Sequence, residues 1–171
     1  RQPPDWWRQS SLRTSSGSLA EAQLLSQLAT ALKPHEAIGA SFRRFTVARS
    51  DAWGSRNLEP DFAMIGVFKD ENVPLFIEYD GFYMHREQLG IERDKRKNLA
   101  LFELSPYGAK IVRIGHSAKV DEQGVLNVHV KPWCYQDPKA VASVVSQVLE
   151  CMIRSFQGEL SDDALKCIQQ R

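Results

Sequence analysis

The chain has 171 residues, 43% of them hydrophobic and 25% charged, which suits one globular domain with a single sizeable core. A net charge of +1 leaves any nucleic-acid footprint to local clusters, and no apolar run is long enough to span a membrane. Cys134, Cys151 and Cys167 form no CxxC pair, which argues against a cysteine zinc site and a disulfide framework; a reducing intracellular compartment, cytoplasm or nucleus, is expected.

No signal-peptide pattern opens the chain, and the first residue, Arg1, is expected to mark an excised fragment. Residues 1–17 read as an irregular arm before one domain over 18–171, because Pro3, Pro4 and Ser15-Ser16-Gly17 resist regular structure. Trp6 and Trp7 are too apolar for a free tail and are expected to dock on the core. Ser18-Leu-Ala-Glu21 fits a capping box opening a helix whose apolar face is Leu24, Leu25, Leu28 and Leu32, with Pro34 as its stop. Strands are expected at Ser41–Val47, Asp61–Val67 and Leu75–Asp80, the last two joined as a hairpin through Phe68–Pro74. A helix from Arg86 to Leu104 follows, with Leu89, Leu99, Phe102 and Leu104 as its apolar residues. Lys110–Ile114 is the next strand, and the strand-helix-strand order predicts a right-handed crossover and a parallel pair. Val125–Val130 alternates like a strand with one wet face. Asp137 and Pro138 open a long helix with Val141, Val144, Val145, Val148, Leu149 and Met152 at helical spacing, and a short helix follows from Ser161. The expected class is α/β: an α-β-β-β-α-β core with a mixed central sheet between helices, plus an extra strand and a C-terminal helix.

Chemistry concentrates on the third expected strand. Glu78 and Asp80 alternate onto one face with Phe76, and two carboxylates on a core strand repel one another and lose solvation. A divalent cation removes that conflict, and Asp61 on the neighbouring strand offers a third carboxylate. Such oxygen ligands suit Mg²⁺ or Mn²⁺ better than zinc.

Leu58-Glu-Pro-Asp61-Phe62, Phe76-Ile-Glu78-Tyr-Asp80-Gly81-Phe-Tyr-Met-His85, Glu92-Arg-Asp94-Lys95-Arg96-Lys97 and Ala109-Lys-Ile-Val-Arg-Ile114 together resemble the Vsr-like endonucleases of the PD-(D/E)XK superfamily. The resemblance covers the chain from Ser18 to Ile114 and implies a restriction-endonuclease-like core. It implies a metal held by Asp61 and the Tyr79 carbonyl, assisted by Glu78 or Asp80. It also implies that Glu21 acts through a bound water, that His85 is a general base and that Asp94 orients a histidine. The chain departs from the wider superfamily where Asp80 takes the place of the strand lysine; Lys95 and Lys97 on the next helix are the candidates to replace it.

Plainer roles compete. Glu21 also fits a capping box, Asp61 a turn at a strand start, His85 an ordinary solvated histidine and Asp94 a helix-surface ion pair. Arg43, Arg44, Arg49, Arg56, Arg93, Lys95, Arg96 and Lys97 suit phosphate contact, although a charge run is usually a solvated face. The expected function is a Mg²⁺- or Mn²⁺-dependent endonuclease acting on nucleic acid, DNA favoured over RNA, without a membrane partner. The alternative is a nuclease-like fold that binds or scaffolds without cutting, motivated by Asp80; a toxin effector is the third idea.

Overall fold

The computed structural model describes residues 2–13, 17–48, 52–81, 88–117, 119 and 122–171. His85 lies outside the described residues, as do Ser15, Ser16, Arg49, Phe82, Tyr83 and the expected helix start at Arg86.

The segment expected as an irregular arm contains a short helix, α1 (Asp5–Arg8), and a short strand, β1 (Ser11–Leu12). Pro4 starts the turn because its carbonyl accepts from the Trp7 and Arg8 amides. The docking expected of the tryptophans is present: Trp7 is buried, its ring lies 5.7 Å from that of Phe45, and the Arg43 guanidinium stands 4.8 Å over it.

Helix α2 (Leu19–Leu32) starts at Ser18, whose Oγ accepts from the Glu21 amide at 3.1 Å, and it buries Leu24, Leu25, Leu28 and Leu32. The next strand, β2 (Arg43–Thr46), is shorter than expected, because Ile38–Ser41 closes a 3-10 turn instead of extending. β2 pairs antiparallel with β1 and with β3 (Asn57–Leu58) in a small three-stranded sheet. Strand β4 (Phe62–Met64) also stops short of the expected Val67. Gly66 bends the chain at φ +74, and Phe68 then bridges to Leu160.

The main sheet has four strands in the order β4, β5 (Leu75–Asp80), β6 (Lys110–Gly115) and β7 (Val125–His129). β4 runs antiparallel to β5, as the hairpin reading requires, and β5, β6 and β7 are mutually parallel neighbours. Helix α3 (Gln88–Leu104) is the crossover between β5 and β6. Helices α4 (Pro138–Ser155) and α5 (Asp162–Gln169) follow, with Asp137 and Ser161 as their caps.

Two apolar clusters cover the two faces of this sheet. Leu75 and Ile77 of β5 and Val112 and Ile114 of β6 pack with α2, α4 and α5. Phe76 and Ile111 face the other way, with Leu101 of α3, Phe45 and Trp7. The two-residue alternation of a strand therefore turns Glu78, Asp80 and Arg113 toward α3. The chain is a mixed α/β fold with a mixed sheet flanked by helices. Among the described residues no helix is long and apolar enough to cross a membrane.

Candidate active site

Asp61 immediately precedes β4, and the antiparallel register brings it beside the end of β5. Its Oδ2 accepts from the Tyr79 amide at 2.8 Å, while its own amide donates to Glu78 Oε1 at 3.1 Å. Glu78 thus holds the main chain of Asp61, and Asp61 holds that of Tyr79, the residue after Glu78. Lys97 reaches from α3 to the other Glu78 oxygen, with Nζ 2.5 Å from Oε2. Glu78 is only 3% exposed.

Glu21 faces the same cluster from α2, where Arg13, Glu78 and Lys97 act on its charge. The Ser18 half of its capping box is realised too, with the Glu21 amide donating to Ser18 Oγ, and the Ser18 main chain helps to hold the Glu21 pKa down. Gly17 leaves room for this: a Cβ there would stand 2.1 Å from the Glu21 oxygens.

Burial, followed by repulsion from Asp61, pushes the Glu78 pKa up to about 7. Burial raises Asp61 as well, with Glu21 adding to the effect, and burial and Glu78 raise Glu21. For Lys97, burial favours the neutral amine, but Glu78 and Asp61 outweigh it and keep the ammonium charged. Burial and then Glu21 push the Tyr79 phenol up to about 12.

Asp80 has different partners, although it shares a strand face with Glu78. Its Oδ1 accepts from Arg113 Nη1 at 2.8 Å and its Oδ2 from Lys119 Nζ at 2.6 Å. Asp94 of α3 completes a ring, 3.4 Å from Arg113 Nη1 and 3.0 Å from Lys119 Nζ. Arg113 also donates to Asn98 Oδ1 at 2.8 Å and to the Asp94 carbonyl at 3.2 Å. Among the described residues two anions and two cations alternate in this ring, whereas the three acids Asp61, Glu78 and Glu21 face Lys97 and Arg13. Asp94 is therefore buried in this ring, not paired on the helix surface.

No family model matches the chain, and no curated protein or solved structure matches it significantly. The site's meaning consequently rests on its own geometry. That geometry brings together Asp61, Glu78, Glu21 and Lys97, with the Tyr79 main chain tied to Asp61. It draws Asp80 and Asp94 into the neighbouring ring. Arg43 is spent on Trp7, the Ala40 carbonyl and Ser10, and Arg44 on Glu59 at 2.5 Å. Lys95 and Arg96 are exposed on α3. Arg13 and Lys119 are members of these networks that no sequence motif marks, and Arg113 lies in the Ala109–Ile114 motif without a role assigned to it there.

The raised carboxylates have a measurable consequence. The folded chain keeps a proton on Glu78 that the unfolded chain, with an ordinary value of 4.5, releases first. The stability this lends is complete below the unfolded value and is lost as pH rises through about 7; Asp61 and Glu21 act in the same direction. From Glu78 the loss is of order 3 kcal/mol. Urea unfolding in EDTA at about pH 5 and about pH 8 should record it, and Glu78→Gln should remove most of the difference. Equal slopes with pH in both proteins would show that Glu78 ionises as freely inside the fold as outside it.

Proposed function

We infer that the chain is a metal-dependent nuclease of PD-(D/E)XK type, hydrolysing phosphodiester bonds with DNA favoured over RNA. One observation carries this reading: Asp61 and Glu78, from a strand start and a neighbouring strand, meet partly buried Lys97 in a single cluster. The order of helix, hairpin, crossover helix and parallel strand supports the fold side of the reading. Asp80 takes the usual lysine position, and Lys97 supplies the ammonium from α3 instead.

Among the described residues no group of three His, Cys, Asp or Glu side chains is arranged to hold a metal ion as it stands. The donor chemistry nevertheless fits a hard divalent cation. Asp61, Glu78 and the Tyr79 carbonyl are all oxygen donors, and the burial and, after it, the acid-acid repulsion that raise both acids are what such an ion offsets. Lys97 stands at Glu78 as a monovalent substitute for part of the ion's charge. Bound there, Mg²⁺ or Mn²⁺ would lower the pKa of a coordinated water and offset charge building on the phosphate. Lys97 would hold a fixed positive charge beside the reacting group, where low dielectric strengthens it. Glu21 would orient water from the α2 side. The Asp80 ring would fix α3, and with it Lys97, against β5 and β6. His85 keeps its place in this reading as the general base implied by the resemblance.

The Lys97–Glu78 contact also favours the second reading, a nuclease-like fold that binds without cutting, because the ammonium satisfies Glu78 with no metal. Incubating the protein with supercoiled plasmid and with single-stranded RNA, in Mg²⁺ or Mn²⁺ and in EDTA, separates the two. Nicking that requires the metal is the expected result. Salt-sensitive binding without turnover would transfer the site to the second reading, and cleavage indifferent to EDTA would defeat the first.

A further inference from the structure

Arg13 belongs to no sequence motif, yet the fold buries it against the carboxylate cluster. Its backbone continues β1: Ser11 and Leu12 pair with Arg44 and Arg43, and the Arg13 amide donates to the Phe42 carbonyl at 2.9 Å. Its side chain is 10% exposed. Nη1 donates to the carbonyls of Pro60 at 3.2 Å and Asp61 at 3.3 Å, and it lies 3.9 Å from Asp61 Oδ1. Nε stands 3.7 Å from Glu59 Oε2, too far for a hydrogen bond, and it is buried with no acceptor.

A guanidinium has five N–H donors, and leaving one buried and unpaired costs the folded chain its lost hydration. A folded chain rarely retains such a group without a use for it. Here the orphaned donor belongs to an arginine bonded to the main chain of Asp61, beside the acids Glu59, Asp61 and Glu21. Glu59 Oε2 stops 3.7 Å from Nε, so this acid does not supply the acceptor that Nε lacks. Arginine also suits the position better than lysine. One part of its planar fork grips the Pro60 and Asp61 carbonyls while another stays available for an oxyanion.

We propose that Arg13 is a phosphate-binding residue of this site, its unused donors taking a non-bridging oxygen of the substrate phosphodiester next to Asp61. The proposal rests on the nuclease reading, because the phosphate is that of a nucleic acid. It assigns the N-terminal segment to the site: β1 pairing presents the arginine, and α1 with Trp7 anchors β1.

The test is equilibrium binding of a short fluorescein-labelled DNA duplex, followed by anisotropy in Ca²⁺ across a salt titration. Wild type, Arg13→Gln, Arg13→Lys and the control Lys139→Gln are compared, with circular dichroism to verify folding. Arg13→Gln should weaken binding roughly tenfold and reduce the slope of log affinity against log salt by about one. Arg13→Lys should keep the slope but lose affinity severalfold, because a point charge cannot hold both contacts. Lys139→Gln should match the wild type. A folded Arg13→Gln with the wild-type slope, or a folded Arg13→Lys with wild-type affinity, overturns the proposal and leaves the nuclease reading standing. Failure of both Arg13 variants to fold overturns it too, by making the residue structural. Wild-type protein that binds no DNA removes the nuclease reading and this inference together.

Discussion

Replacing Arg113 with methionine is expected to destabilise the fold by about 3–5 kcal/mol, because it removes a buried cation that two carboxylates contact. Arg113 is 3% exposed and holds Asp80, Asp94, Asn98 and the Asp94 carbonyl at once. Without it, Asp80 and Asp94 lose the buried cation that both contact, and their charges are less well compensated. The cost arises from that lost compensation, so it should shrink when one of the anions is removed. Arg113→Met combined with Asp80→Asn should recover more than half of the loss in urea unfolding. A single variant costing under about 1 kcal/mol would mean that water reaches the ring and screens it.

Replacing Lys97 with methionine is expected to reduce metal-dependent cleavage by about a hundred- to a thousandfold, the usual range when a fixed electrostatic stabiliser is lost from an active site. The fold should survive best at low pH. Lys97 is one of the groups that lower the Glu78 pKa, so its loss raises that pKa further, and a protonated Glu78 needs no partner. The stability cost of the variant should therefore grow from about pH 5 to about pH 8, as ionisation of Glu78 is demanded. Cleavage is to be compared where circular dichroism shows both proteins folded. A folded variant cutting within about threefold of wild type would exclude Lys97 from the chemistry.

The sequence pointed to the hairpin, the crossover and the acids of β5, because apolar strands containing paired carboxylates are uncommon and local pattern suffices to see them. It misled on half of α3. Weighting apolar residues selects Phe102 and Leu104, which pack against the core, but also Leu89 and Leu99, which are 78% and 52% exposed. The inward stripe is Asp94, Lys97, Asn98 and Leu101, correctly spaced for one helix face but polar in three of its four places. That spacing, placed opposite a strand with two acids, is the signal that would have revealed it. The division between Glu78 and Asp80 is not local at all. The parallel register sets Glu78 opposite Arg113 and Asp80 opposite Gly115, and the arginine then reaches along the strand to Asp80. Arg13 depends on a pairing with β2 some thirty residues away, which no short-range pattern encodes.

Helix α3 is attached to the sheet in an unusual way. Its apolar contacts, Leu101 with the partly buried Ala100, Phe102 and Leu104, all lie toward its C-terminal end, while Asp94, Lys97 and Asn98 hold the other half by polar contacts. That half has little hydrophobic adhesion and belongs among the first segments to detach when the molecule opens below the threshold of global unfolding. Detachment would take the Lys97 ammonium away from Glu78 while α2 and α4 still clasp the opposite face. Any ligand that engages only the attached state would then be coupled to this local equilibrium, tightening the helix as it binds.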